Sequence, residues 1–423
     1  MLTNQESEIV RKISAIEAYR HIKEIVKFGN RLAGSEAVKN TEEYLGETLK
    51  ENGLEVIFEP FESMCFEPKK TEVTVKKPEQ KNIDVQPMIF SPSSGDEGIS
   101  SELVYVGNGQ EKDYEKKDVE GKIVLFERDP DVPKDFYYEE ICTASKYGAV
   151  GAIMANHEPW IFHGSLESGL FDPEERIKPI EPNPIPAVCI SSTDGRYLKQ
   201  LLKDDDSVKI NLLVKSVIEE RINNNVRGLL LGESKPEEKI LITAHIDTEN
   251  NRGANDNCSG LSIMLELARV LSEYSPKRTI EFLATGSEEV CSIGSVEYCK
   301  KHESSLDDIV AVFNIDMVGR GSDLVLIKKG EWPSKTIETP EWLYLFVDKM
   351  ARELNYKTKF DICELGTSDE GRFLDAGVPS IFFWKPDDPY YHSPLDTIER
   401  VDPNGLKTIA EIVALSAWRL ANR

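Results

Sequence analysis

At 423 residues, the chain is longer than one compact core usually fills, which points to two domains or one domain with a large insert. Its 51 Lys and Arg against 75 Asp and Glu leave a formal charge of −24, which argues against a surface that tracks nucleic acid or docks on anionic lipid. With 40% hydrophobic and 30% charged residues, it reads as a globular protein and not a disordered one.

The chain opens Met1-Leu2-Thr3-Asn4-Gln5-Glu6, acidic and polar where a signal peptide would be basic and then apolar. No stretch has the apolar length of a membrane span. The seven cysteines are an odd number with no C-x-x-C pair, so they read as small apolar fillers in a reducing compartment. The expectation is a cytoplasmic protein with no membrane and no nucleic-acid partner; a homo-oligomer is left open.

The first 55 residues read as helical. Ile16, Tyr19, Ile22 and Val26 give one apolar face and Val38, Thr41, Leu45 and Leu49 another, with Gly53 as the stop. From about Thr71 to Val214 the texture is β-rich. Strands are expected at Lys122–Phe126, Gly151–Met154 and Ile185–Ile190, a helix around Ile141–Tyr147, and proline loops at Pro130–Pro133 and Pro179–Pro186. Beyond Val226 the pattern becomes strand, loop, helix. The apolar runs Lys239–Thr243, Thr279–Ala284, Val310–Ile315 and Pro379–Phe383 suit a sheet covered on both faces. Gly260–Tyr274 is apolar nearly all round, and Leu406, Ile409, Val413, Ala417 and Leu420 give the last helix one apolar face. The fold class is therefore α/β: a mixed, mostly parallel central sheet flanked by helices, made of residues 1–70 and 215–423, with a β-rich domain inserted at 71–214.

Open α/β sheets bind ligands where the loops leave the carboxyl ends of their strands. In this chain those loops carry His245, Glu289, Asp316 and His392, and the loop before the apolar helix carries Asp256. Singly, each has an ordinary reading as a turn or cap residue. Together, carboxylates crowded at one edge repel unless a cation separates them. Two His and three carboxylates suit two divalent ions about 3.5–4 Å apart; an N/O donor set fits zinc, with cobalt or manganese as alternatives. In the adjacent pair Glu288-Glu289 the side chains point different ways, so one can ligate while the other accepts a proton from the metal-bound water. Asp247, two residues past His245, is placed to orient the imidazole.

Five stretches together resemble the M28 family of co-catalytic zinc peptidases. They are His245-Ile246-Asp247, Gly253-Ala254-Asn255-Asp256-Asn257-Cys258-Ser259-Gly260, Glu288-Glu289, Asn314-Ile315-Asp316-Met317-Val318-Gly319 and Tyr391-His392-Ser393-Pro394-Leu395-Asp396-Thr397. Arg31-Leu32-Ala33-Gly34-Ser35 resembles the family's R-x-x-G-S stretch, and Ser368–Phe373 its substrate-side S-D-x-x-x-F segment. The resemblance implies a zinc-peptidase (phosphorylase/hydrolase-like) fold and two zinc ions. His245 and Asp316 would hold one ion, Glu289 and His392 the other, and Asp256 would bridge them. It further implies Glu288 as base and Tyr391 as a donor to the tetrahedral oxyanion. Cys291 departs from a glycine found two residues past the Glu pair in many members. Thr367 stands where some aminopeptidases place a substrate-binding Arg. The middle of the chain resembles a protease-associated (PA) domain, through Glu120–Leu125, Ala144–Ile153 and Ile185–Val188.

The reading is a metallo-aminopeptidase acting on peptides, in which an acidic cavity around Glu288, Glu289 and Asp316 favours a substrate ammonium group. A carboxypeptidase or dipeptidase on the same site would need a cation for the free carboxylate, with Arg320 and Arg372 as candidates. A non-catalytic binding protein on this scaffold would show substituted ligands or base, and none is missing. His157-Glu158 and His163 are spaced two residues too long for H-E-x-x-H.

Overall fold

The computed structural model describes residues 2–129, 137–166, 184–204, 207–321, 324–332, 335–363 and 367–423. The loop expected at Pro130–Pro133, and residues 179–183 of the one expected at Pro179–Pro186, lie outside them. The chain divides into two compact units. One comprises Met1–Glu62, Ile222–Tyr391 and Asp396–Arg423; the other comprises Ser63–Arg221 and His392–Leu395.

In the first unit, four parallel strands form the centre of a sheet, in the order Ser380–Trp384, Ile309–Ile315, Lys235–His245, Arg278–Thr285. Antiparallel strands flank them: Leu324–Trp332 beside Ser380–Trp384, and the C-terminal part of Lys209–Leu230 beside Arg278–Thr285. Successive strand residues face opposite sides, so Ile240, Ile242, Ala244, Phe282, Phe313 and Ile315 enter one core while Leu241, Leu283 and Val312 enter another. The larger core is closed by the helices Ala15–Ile25, Glu36–Glu51, Cys258–Leu271 and Pro403–Ala421; the smaller is closed by Ile293–Lys301 and Glu370–Asp375. This is the expected mixed α/β architecture.

The N-terminal helices start where side chains can take up their first N–H groups. Thr3 forms a capping box with Glu6, and Ser14 and Ser35 accept from the backbone of Glu17 and Val38. Ile16 is 78% exposed, contrary to the apolar face read from the sequence. The buried stripe of that helix is instead Ala18, His21, Ile22 and Ile25, the i, i+3, i+4, i+7 set that turns toward the Cys258–Leu271 helix. His21 entered that stripe unnoticed because an imidazole does not register as apolar. Burial pushes its pKa down to about 4 from 6.5, while its Nδ1 lies 2.7 Å from the Tyr44 hydroxyl. The folded pKa is below the unfolded one, so the neutral ring's contribution is complete above pH 6.5 and is lost as the pH falls toward 4, by about 3 kcal/mol in all. Urea titrations should show wild type losing that much more stability than His21→Gln between pH 7 and 4. Parallel pH profiles would exclude the assignment.

The second unit carries the parallel strands Ile99–Tyr105, Ile123–Glu127, Gly151–Ala155 and Ala187–Ile190, with Lys209–Leu230 antiparallel beside the first. Its longer helices among the described residues are Tyr138–Lys146, close to the one expected, and Ser192–Asp204, which was not anticipated. The 23-residue strand Glu55–Lys77 begins well before the β-rich stretch expected from about Thr71. No helix among the described residues is long and apolar enough to cross a membrane.

Candidate metal centre

Strand register brings the first residues together. His245 ends its strand opposite Thr285, and on the other flank Asn314 pairs with Thr243. Asp316, two residues past Asn314, therefore arrives beside His245, and Glu288 and Glu289 follow shortly after Thr285. The third donor comes from the loop before the Cys258–Leu271 helix. Asn257 caps that helix, accepting from the Gly260 N–H, and its amide donates to the Ile315 carbonyl. Gly260 permits this packing, since a Cβ there would lie 2.2 Å from the Ile315 oxygen.

His245 Nε2 lies 3.1 Å from Asp256 Oδ1 and 3.3 Å from Asp316 Oδ1, and all three residues are buried. The other ring nitrogen, Nδ1, sits 3.2 Å from the main-chain oxygen of Asp247 and 3.9 Å from its carboxylate. A proton on Nδ1 serves that carbonyl, so in the neutral ring the Nε2 lone pair faces two carboxylate oxygens. Three electron-rich atoms converging in this way call for a cation among them. Burial alone would lower the His245 pKa, yet the Asp316 charge and the hydrogen bonds to Asp256 and Asp316 hold it well above the usual imidazole range, the mark of surplus negative charge. The donor set thus fits a divalent metal ion.

The sequence places the Asp247 carboxylate to orient the imidazole; in the structure it holds backbone N–H groups. Its carboxylate accepts the N–H groups of Glu288 at 2.9 Å and Glu289 at 3.2 Å, fixing the Glu pair, while its carbonyl faces the imidazole. Burial raises its pKa to about 7. The loop it holds is strained: Ser287, Cys291 and Ser292 all have positive φ, a conformation costly for residues with a Cβ. Cys291, at φ 60°, keeps the backbone shape that a glycine would favour. Glu288 keeps part of its surface open, but the desolvation around it, reinforced by the Asp369, Glu289 and Asp316 charges against that of His245, raises its pKa well above 4.5.

Several contributors were quoted in the sequence without a role, and Glu249 was missed. Asp396, buried, accepts the N–H groups of Asn255 at 2.8 Å and Asp256 at 3.0 Å, holding the Asp256 loop. Ser368, read as part of a substrate-side segment, donates to Asp316 Oδ2 at 2.8 Å. Glu370 accepts from the Asn314 amide and the Ser368 N–H, and burial lifts its pKa to about 8. Glu249 is buried and offers a carboxylate oxygen within 4.8 Å of one from Glu289; the alternation His245, Asp247, Glu249 was its signal.

Tyr391 is half-buried in a turn, its N–H directed at the Asp388 carbonyl. His392 belongs with Ser393–Leu395 to the second unit. There it is buried with φ 47°, its carbonyl accepts from the His163 N–H, and its ring lies 6.0 Å from that of Phe162. Glu158 faces Arg128 at 3.6 Å, and among the described residues His157, Glu158 and His163 do not come together as a donor group. Of the two candidate carboxylate-binding cations, Arg320 is held by Asp388 at 3.2 Å and lies over the Tyr390 ring, and Arg372 donates to the Cys291 carbonyl.

Residues 225–417 match the model of peptidase family M28, and residues 99–198 match that of the PA domain. By these matches the chain resembles peptidase family M28, with a PA-like stretch ahead of the peptidase stretch. Among its relatives, Aminopeptidase YwaD of Bacillus subtilis is 28% identical over all of this chain and 88% of its own length. Carboxypeptidase Q of Xenopus laevis is 24% identical over 93% and 83%. The solved structure of BSAP, a zinc aminopeptidase from Bacillus subtilis, superposes with a TM-score of 0.79 at 25% identity, covering 97% of this chain and 96% of that one. A peptidase M28 precursor from Shewanella amazonensis shares the fold, with a TM-score of 0.80 at 22% identity over 99% and 96%.

Proposed function

We propose that this chain is a metal-dependent aminopeptidase that hydrolyses the first peptide bond of peptides with a free N-terminus. The observation that carries the reading is the buried convergence of His245 Nε2 on the Asp256 and Asp316 carboxylates beside a Glu pair held by Asp247. His245 and Asp316 would hold one ion, Glu289 and His392 the second, and Asp256 both. Zinc fits the all-N/O donor set, and two such ions supply an acidified water and a Lewis acid for the scissile carbonyl.

Glu288, with its raised pKa, takes the proton of the attacking water and passes it to the leaving amine. Tyr391 is positioned in sequence to donate to the oxyanion. The carboxylates around the site favour a substrate ammonium. Arg320, neutralised by Asp388, is poorly placed to bind a free carboxylate, which weighs against a carboxypeptidase despite the carboxypeptidase Q relatives. Residues 71–214 form the PA-like insert of this enzyme.

A pool of defined peptides, incubated with zinc-loaded protein and followed by mass spectrometry, tests the reading. Chelator-sensitive trimming from the N-terminus is the expected result; trimming from the C-terminus overturns the substrate assignment. His245→Ala should bind zinc at least tenfold more weakly and lose most of the zinc-dependent rise in melting temperature. Wild-type zinc content in that variant removes His245 from the ligand set.

A further inference from the structure

The loop between His245 and Asp256 has little regular structure of its own, yet it must present two of the metal donors at fixed spacing. Arg31, from the segment between the Ala15–Ile25 and Glu36–Glu51 helices, reaches into it. Its side chain is fully buried. Nε donates to the Ile246 carbonyl at 2.8 Å, Nη1 to that of Arg252 at 2.6 Å and Nη2 to that of Gly253 at 3.3 Å. The backbone contact is reciprocal: the Arg31 N–H donates to the Thr248 hydroxyl at 3.1 Å, and the Thr248 N–H donates to the Arg31 carbonyl at 3.0 Å. Thr248 in turn donates to the Asn251 carbonyl at 2.9 Å.

Among the described residues, no ion pair joins this guanidinium to a carboxylate. Among those residues, its hydrogen bonds all go to main-chain oxygens at both ends of one loop. A buried charge costs free energy unless its donors are satisfied and its field is balanced. The carbonyls satisfy the donors. Gly253 is shaped to the contact. Its φ is +53°, and a Cβ there would lie 2.0 Å from the Asp256 carbonyl oxygen and 3.0 Å from Arg31 Nη2. A planar fork can span carbonyls that an ammonium on a flexible stem cannot reach together.

We infer that Arg31 is a positioning residue for the metal centre: its guanidinium clasps Ile246, Arg252 and Gly253 and so sets the separation of His245 and Asp256. The inference rests on the metal reading above. If wild-type protein binds no zinc, that reading fails; if wild type binds zinc and Arg31 variants bind it equally well, only this inference fails.

The test is zinc affinity by competition with a chromophoric chelator, measured with the melting temperature of the metal-free protein. Arg31→Lys and Arg31→Ala should weaken zinc binding by about 10–100-fold. In Arg31→Ala, millimolar guanidinium should restore part of the affinity while ammonium does not. A folded Arg31→Lys protein with wild-type zinc affinity overturns the inference. So does a lowered metal-free melting temperature accompanied by unchanged zinc affinity, the result of a purely structural role. Should neither Arg31 variant fold, Thr248→Val decides: a measurable loss of zinc affinity supports the clasp, and wild-type affinity overturns it.

Discussion

Glu288→Gln should lower kcat by about a thousandfold while leaving metal content at the wild-type level. Glutamine preserves the shape of the side chain and leaves the N–H groups of residues 288 and 289 free to keep their bonds to Asp247, so the metal donors stay in place. What disappears is the proton acceptor. Burial and the neighbouring Asp369, Glu289 and Asp316 charges hold the Glu288 pKa well above 4.5. The base works deprotonated, so kcat in wild type should fall as the pH drops through that raised value. In Glu288→Gln this acidic limb should vanish from the residual activity. Steady-state kinetics on an aminoacyl chromogenic substrate, with metal analysis of the same samples, reads both effects. A variant within tenfold of wild type removes Glu288 as base, and one that has lost its metal shows that the carboxylate is needed to hold the site.

Which parts of this site the sequence discloses depends on how far each signal reaches along the chain. His245, Asp316 and the Glu pair stand at the ends of apolar runs, and parallel register alone carries them to one edge. Asp396 and Arg31 gave no such sign. Their effect lies in bonds to backbone groups 141 and more than 200 residues away, and neither composition nor period encodes those partners. Ser368 was noticed, but its bond to Asp316 depends on how the Glu370–Asp375 helix packs against the sheet. The fold shows the same division. Buried runs such as Lys239–Thr243 were legible because a strand covered on both faces must be apolar throughout. The long strands Glu55–Lys77 and Lys209–Leu230 alternate buried and exposed stretches, and the charges in both, with Pro60 and Pro68 in the first, break the apolar pattern. Cys291 shows the limit from the other side. It adopts a φ of 60° that a glycine takes up more easily, and its side-chain type gave no hint of that backbone.

The second large effect concerns stability, away from the metal centre. Arg227 is buried beside two buried carboxylates, with Nε 2.6 Å from Glu281 Oε1 and Nη1 bonded to Glu59. Its guanidinium lies 5.4 Å from the Tyr298 ring, and His302 Nε2 approaches Glu59 at 3.0 Å. Arg227→Met fills much of the same volume but leaves Glu281, among the described residues, with the more distant Lys239 at 3.6 Å as its cation, and Glu59 with its histidine and lysine neighbours. An uncompensated buried carboxylate should cost about 3–5 kcal/mol at pH 7, measurable by urea denaturation. The pH dependence has a definite sign. Burial would raise the Glu59 pKa, but His302 and Arg227 lower it to about 2 from 4.5. The stabilisation is therefore complete above pH 4.5 and drains away as the pH falls toward 2. The gap between wild type and Arg227→Met should accordingly narrow below pH 4.5. Replacing the partners as well, in Arg227→Met/Glu59→Leu/Glu281→Leu, should recover most of the loss, because it removes the stranded charges and not merely their counterion. A single-variant deficit under about 1 kcal/mol would place this network with weak surface pairs, and failure of the triple variant to recover would point to packing around Tyr298 as the origin of the cost.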